Sequence, residues 1–395
     1  MALKVLENNI PKDWLKLSLG DVADITNGKT NSQDAVSGGI YPLFDRSVSI
    51  KNSDKFLFDK TAIILPGEGS EFIPRYFSGK FDLHQRAYAI FANEDKVHAS
   101  YLYYFLLAKR AVFAQTAVGS TVKSLRLPII KAVQVNIPPI SEQKIIAEIL
   151  SSTDYEIQKV EKIIFETEKL KHGLLAELFT KGVGHNKLKK TKLGEIPNEW
   201  EVGPLGSFLT EKPSYGIGAA AVDYSKDLPT YIRITDISED GQFLYKNKKS
   251  VDSKESGNYL LQDGDLLFAR TGASVGKTYL YDPRDGELVF AGFLIRVKVN
   301  TKKILPKYLS YFVQTSTYWN WVHVMSARSG QPGINGNEYS SMPIAIPSLQ
   351  EQEKVIQILS SVDTKISLNR QLKEKLNQLE KGLMSDLLSG KVRTI

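Results

Sequence analysis

Apolar residues alternate in steps of four and three along one stretch of the chain. They run Ile146, Leu150, Thr153, Ile157, Val160, Ile164, Thr167, Lys171, Leu174 and Leu178. This spacing predicts a long helix with a narrow apolar seam of coiled-coil type, imperfect at Thr167 and Lys171. A similar stripe of Val355, Leu359, Val362, Ile366, Leu372, Leu376, Leu379, Leu383 and Leu387 predicts a second helix, with a break around Asn369. Pro138 and Pro139 precede Ser141, a candidate N-cap, and Ser348 and Glu351 have capping-box spacing. Gly182 and Gly390 are candidate stops. A helix of about 37 residues spans about 55 Å and is not stable with one bare apolar stripe, so the two helices are expected to bury each other.

The helices are part of a larger repeat. "IPKDW" (10–14) recurs as "IPNEW" (196–200), and "YLYYF" (101–105) as "YLSYF" (308–312). "IPPISEQKIIAEILSSTD" (137–154) recurs as "IPSLQEQEKVIQILSSVD" (346–363). Between 141–183 and 350–392, 13 of 43 positions are identical, Glu142 and Gln143 matching Glu351 and Gln352. The stretches before the helices match far less well. The order is variable unit, similar helix, variable unit, similar helix: two units that share an attachment but not a task.

Each variable unit reads as short strands between turns, with a little helix. "TAIILPGEG" (61–69) and "GDLLFARTG" (264–272) resemble buried strands that end in glycine turns. "RAYAIFA" (86–92) and "LVFAGFLIRVKV" (288–299) continue them as strands. Each unit then has a short helical segment and a polar, glycine-containing loop, "AVGSTVKSLR" (117–126) and "SARSGQPGINGNEYS" (326–340). Between the first helix and the second unit, "KGVGHNKLKKTKLGEIP" reads as a basic linker, either a solvated tether or a phosphate contact.

Composition narrows the chemistry. The chain has 395 residues and no cysteine, so it has neither a disulfide framework nor a thiolate metal site. Its five histidines are scattered, with no pair at helical i, i+4 spacing, which argues against a metal centre. The N-terminus lacks the apolar core of a signal peptide, and no apolar run is long enough to span a bilayer; a cytoplasmic protein is expected. A formal net charge of +7 suits a polyanionic partner.

One stretch, "FARTGASVGKT" (268–278), echoes two catalytic motifs. Gly272 to Gly276 fits the G-x-S-x-G elbow of serine hydrolases, and Gly276-Lys277-Thr278 ends like a phosphate-binding loop. A P-loop needs four residues between its glycines, and here there are three. The following "TYLYDPRDG" is β-prone, whereas both motifs must open a helix. After Ser274 only His323 remains, and Asp282 and Asp285 lie too close for the usual triad order. A glycine turn between two strands, exposing Arg270, Thr271, Ser274 and Lys277, describes it better.

The layout resembles the specificity subunit of type I restriction–modification systems. The resemblance lies in "IPKDW" and "IPNEW", "GDLLFARTGASVGK", and the "IPPISEQKIIAEIL" and "IPSLQEQEKVIQIL" segments, and it covers nearly the whole chain. "TAIILPGEG" departs from the R-T-G form. The resemblance implies an α+β protein: two mixed, β-rich target recognition domains joined by two long antiparallel helices forming an intramolecular coiled coil. The expected boundaries are 1–140 for the first recognition domain and 141–183 for its helix. A basic linker and second recognition domain (184–348) and a C-terminal helix (349–395) complete the chain. Each domain would read half of a bipartite double-stranded DNA site, and the helices would set the spacer. Two modification (methyltransferase) subunits would dock at Glu142, Gln143, Glu351 and Gln352, with restriction/translocase subunits beyond them. S-adenosylmethionine, ATP and Mg are expected on those partners, with no cofactor, metal or catalysis in this chain.

The expected DNA contacts in the first unit are Gln85, Arg86, Ser120, Thr121, Lys123 and Arg126. In the second they are Arg270, Thr271, Ser274, Lys277, Arg328, Gln331, Asn335 and Asn337. Arg, Asn and Gln can pair bidentately with base edges. The rival readings are a serine hydrolase or nucleotide-binding enzyme built on 268–278, and a coiled-coil adaptor that binds proteins.

Overall fold

The computed structural model describes residues 10–327 and 332–394. Two compact units emerge, and they cut across the boundaries expected from the sequence. One runs to Lys162 and takes in the chain again from Arg370; the other is Ile163–Asn369. The reason is that each long helix serves both units. The first helix is Ile140–Leu178 and the second Leu349–Leu388.

The first unit holds two four-stranded sheets. One is antiparallel, in the order Ala23–Asn27, Ala87–Ala92, Ala62–Pro66, Arg75–Phe77. The other runs Lys51–Ser53, Tyr41–Phe44, Lys80–Leu83, Phe58–Asp59, with Tyr41–Phe44 parallel to Lys80–Leu83. The second unit repeats the arrangement. Its antiparallel sheet is Ser214–Tyr215, Leu294–Val297, Leu266–Ala269, Thr278–Leu280. Its mixed sheet is Ala221–Asp223, Lys249–Val251, Thr230–Ile232, Leu288–Phe290, with the last two parallel. The expected strands at 62–66 and 266–269 are the buried centres of their sheets, every residue of Leu266–Ala269 being buried.

Each unit's core takes residues from both long helices. Ile146 and Leu150 of the first helix pack with Leu387 and Leu388 of the second in one unit. Leu175 and Leu178 pack with Val355 and Leu359 in the other. Within each unit, then, the start of one helix lies beside the end of the other, and the segments run antiparallel. Each such buried leucine or isoleucine contributes about 2 kcal/mol.

The first seam is as read: none of its ten positions is exposed. The second needs a correction. Leu372 and Leu379 are exposed, while Asn369, Lys373, Leu376, Glu380, Leu383 and Leu387 continue the seam from Ile366 in steps of three and four. The apolar stripe steps off the seam at Asn369, and polar side chains take its place by pairing. Lys373 Nζ lies 2.8 Å from Glu161, and Glu380 faces Asp154, its pKa raised by burial and by that carboxyl. In the other unit Lys171, the counterpart of Glu380, lies 2.7 Å from Asp363. Polar groups at such positions fix the register of a helix pair.

The basic linker is folded. Leu188–Thr191 pairs with Gly194–Pro197 as a hairpin, and Lys189 Nζ donates to the carbonyls of Asn198 (2.8 Å) and Trp200 (2.6 Å). Lys187, Lys190 and Lys192 remain exposed.

The repeated Glu-Gln pair is not the exposed docking surface expected of it. Glu142, Gln143 and Gln352 are buried, and the Glu351 side chain is 11% exposed. Gln143 accepts from the His98 amide (2.7 Å) and donates to the Lys96 and Pro138 carbonyls. Gln352 does the same with the Leu305 amide and the Lys303 and Pro347 carbonyls. Glu142 accepts from Trp14 Nε1 (3.1 Å) and from Arg393, which also binds Asp13. Glu351 accepts from Trp200 Nε1 (3.2 Å) and the Val183 amide, and meets His185 Nε2 at 2.9 Å; His185 Nδ1 lies 3.0 Å from Glu199. The "IPxxW" motif and the Glu-Gln motif are thus two halves of one joint that fastens a unit to the start of its own helix and the end of the other. Ser348 caps its helix by accepting from the Glu351 amide (3.3 Å), but the Glu351 carboxylate goes to the joint instead of closing the capping box. The first helix begins at Ile140, ahead of the expected cap Ser141. Of the expected stops, Gly390 (φ +73°) is left-handed just past the end of the second helix at Leu388. The first helix ends at Leu178, and left-handed Gly182 (φ +66°) belongs to the turn beyond it, where a Cβ would lie 2.5 Å from Glu351.

Candidate nucleic-acid interface

Backbone bonds bring the second unit's candidate loops together. The Gly272 amide donates to the Pro332 carbonyl (3.2 Å), Thr271 bridges Gly333, and the Ile334 amide donates to the Arg270 carbonyl (2.9 Å). The Arg270 guanidinium lies 4.8 Å from the centre of the Tyr215 ring, and its Nε is buried without a partner. Among the described residues it has no ion pair, and its charge is held beside an aromatic ring. Lys277 is ion-paired to exposed Glu239 at 2.6 Å. Ser274 ends a short 3-10 turn, Gly272–Ser274, which leads to the strand Thr278–Leu280 and not to a helix. No histidine or carboxylate is hydrogen-bonded to it among the described residues, and the helix that both catalytic motifs require is absent there. Asn337 is exposed. Asn335 is exposed too, and its Oδ1 caps Gly336–Ser341 in a closed box with Glu338 (3.0 and 2.8 Å). Arg328 and Gln331 lie outside the described residues.

The first unit builds the same frame from other side chains. The Gly69 amide donates to the Lys123 carbonyl, Glu68 bridges Ser124, and the Leu125 amide donates to the Gly67 carbonyl. Bond for bond, Gly67, Glu68 and Gly69 stand where Arg270, Thr271 and Gly272 stand. An arginine could not occupy position 67, because a Cβ there would lie 2.4 Å from the Arg86 carbonyl. The positive charge arrives instead on Arg86 and Arg46, which grip opposite oxygens of Glu68 at 2.7 and 3.0 Å. Gln85 donates to Asn31. Ser120 and Thr121 are exposed in the Val118–Ser124 turn, and Arg126 is exposed where the helix Leu127–Lys131 begins. Lys123 is partly committed, its Nζ donating to the Ala114 carbonyl (3.1 Å).

The neighbouring loop of the first unit is stiff. Asp45 accepts from the amide and hydroxyl of Ser47 and pairs with Lys51 at 2.7 Å. Burial alone would raise its pKa, but Lys51 and Ser47 hold it at about 2. Arg75 Nη2 donates to the Ser47 and Val48 carbonyls. Burial lowers the pKa of His84 below the ordinary imidazole value, and its Nδ1 accepts from the Arg86 amide (3.0 Å), which sets the turn that carries Arg86.

A third matched element completes each frame. In the first unit the Gln85 amide donates to the Thr30 carbonyl, the Ala87 amide to the His84 carbonyl, and the Gly67 amide to the Arg86 carbonyl. In the second, the Gly292 amide donates to the Ile217 carbonyl, the Leu294 amide to the Ala291 carbonyl, and the Arg270 amide to the Phe293 carbonyl. Each unit therefore presents three converging loops: a sheet-end turn, a tight β-turn and a polar hairpin. Cations and amides collect there, and this is the equipment for touching phosphates and base edges.

Family comparison agrees with the repeat. The model of the family described as "Type I restriction modification DNA specificity domain" matches residues 11–168 and again 197–378. The chain belongs to that family. It is 25% identical to the type I restriction enzyme MjaVIII specificity subunit of Methanocaldococcus jannaschii, over 97% of this chain and 94% of that one. It is 30% identical to the putative type I restriction enzyme MjaX specificity subunit of the same organism, over 76% and 70%. The crystal structure of a type I restriction–modification S subunit from M. genitalium shares the fold, with a TM-score of 0.67 at 17% identity and 97% coverage of both chains. The α+β architecture of two recognition domains and two long helices is that of the family.

Sequence reasoning missed Arg46, Asn31, Tyr215 and Phe293. The departure of "TAIILPGEG" from the R-T-G form marks the missing arginine of the first unit, and the signal left unused was to look for a substitute such as Arg46 in the neighbouring turns. No helix among the described residues is long and apolar enough to cross a membrane, and no group of three or more metal-binding side chains occurs among them.

Proposed function

We propose that this chain is the sequence-reading subunit of a type I restriction–modification assembly and catalyses nothing itself. Each unit reads one short half of a bipartite double-stranded DNA site through its three converging loops, and the helices set the spacer. The observation that carries this reading is the loop frame, repeated bond for bond in two units while the side chains it displays differ. A repeated frame with changed side chains is what two related but distinct targets require. In the second unit the contacts assigned to DNA are Arg270, Thr271, Ser274, Lys277 and Asn337; in the first they are Gln85, Arg86, Ser120, Thr121, Lys123 and Arg126.

Two modification subunits are proposed to dock on the helices, with restriction/translocase subunits joining them. S-adenosylmethionine, ATP and Mg would reside on those partners. The buried Glu-Gln pairs leave docking to outward side chains, and the repeated, exposed Leu170 and Leu379 are the best placed. Equilibrium binding of the full chain to duplex DNA across a salt series tests the reading. Affinity should fall steeply with salt, and Arg270→Ala should weaken binding to the preferred duplex without lowering the melting temperature. Salt-independent binding, or none, would overturn it.

A further inference from the structure

The matched turns at His84–Ala87 and Ala291–Leu294 hold the same backbone bonds but display opposite chemistry at one position. The first unit places Arg86 there, its side chain 58% exposed. The second places Phe293, which is 60% exposed. Its neighbours Ala291 and Leu294 are buried, so the turn sends this one side chain outward. A Cβ at Gly292 would lie 3.3 Å from the Ile217 carbonyl, so the chain passes tightly there.

An exposed phenylalanine leaves apolar area in water, and here it stands among groups suited to a polyanion. The Arg270 amide donates to the Phe293 carbonyl, which sets the guanidinium and the ring on residues bonded to each other in one frame. Tyr215, under that guanidinium, accepts from the Gly336 amide and ties in the polar loop. Resting on the DNA-reading function above, we propose that this turn residue reads a base in each unit: Arg86 selects guanine, and Phe293 selects thymine. The major groove gives each residue its own target. Guanine offers two acceptors, O6 and N7, to a guanidinium, and thymine offers its 5-methyl group to an apolar side chain. Glu68 holds Arg86 by Nη1, leaving its other nitrogens to donate. Phe293 can donate nothing and can only discriminate by apolar contact.

The test is a selection from randomised duplexes with the full chain and with Phe293→Arg and Arg86→Phe. Both positions are exposed, and a thermal melt checks that the variants fold. Phe293→Arg should change one thymine to guanine in one half-site and leave the other half-site unchanged; Arg86→Phe should make the reverse change in the other half-site. Replacing that thymine by uracil in the duplex should weaken wild-type binding about fourfold, the cost of one methyl group left unburied. Unchanged half-sites in both variants, or indifference to uracil, would overturn the assignment while leaving the DNA-reading function standing. No sequence selection by the wild-type chain would overturn that function and this inference with it.

Discussion

The two joints perform one task with different ions. In the first unit Arg393 bridges Glu142 and Asp13; in the second His185 bridges Glu351 and Glu199. The tryptophan, the glutamate and the left-handed glycine are common to both. A guanidinium keeps its charge at any working pH, whereas an imidazole donates to two carboxylates only when protonated. The helix seam repeats the lesson: Asp154 faces Glu380 in the first unit, and Asp363 faces Lys171 in the second. Of these four contacts, each unit therefore holds one that keeps its charge and one that depends on pH, at opposite places in the comparison. Duplicated frames tolerate such exchanges because the backbone bonds, and not the ions, define them.

The largest effect should come from removing a joint glutamate. Glu142 is completely buried and holds Trp14 and Arg393, so Glu142→Ala should cost about 3 kcal/mol, read by denaturant unfolding. Glu351→Ala should cost less, because its carboxylate is partly hydrated. An equal or reversed order would break the comparison.

A smaller effect should come from the seam. Burial, then Asp154, raises the pKa of Glu380 to about 7. A carboxyl raised in the folded state gives stability that is complete below its unfolded value near 4.5 and is lost as pH rises towards 7. Glu380→Lys copies the Lys171–Asp363 pair. It should stabilise the protein by the order of 1 kcal/mol at pH 8, after discounting for solvent screening, and by much less at pH 5. Thermal melts of both proteins at both pH values check this.

The smallest effect concerns His185. Hydrogen bonding to Glu351, with the charges of Glu351 and Glu199, raises its pKa against modest desolvation. Its contribution is complete below the ordinary imidazole value of about 6.5 and is lost as pH rises through the raised one. The second unit should melt slightly lower at alkaline pH, and His185→Arg should flatten that dependence. A wild-type melting temperature that does not move with pH would remove the distinction between the joints.

The helix pair was legible because burial imposes a period that hydrophobic residues reveal. It became illegible at Asn369, where Lys373 and Glu380 enter the seam by pairing with residues more than two hundred positions away. Glu142 and Glu351 read as surface for the same reason, since the partners that make their burial tolerable, Arg393 and His185, cannot be located from sequence. Arg270 and its loop were legible as a glycine turn. Their attachment to Pro332–Ile334 was not, because it rests on backbone bonds that carry no side-chain signature. Phe293 hid within "LVFAGFLIRVKV", where an apolar residue reads as core.

That two matched frames read two different half-sites can be decided by mapping the DNA sequence that the full chain selects from randomised duplexes. The expected result is two short, dissimilar half-sites separated by a spacer of fixed length and free sequence. A single contiguous site, or two identical half-sites, would contradict it.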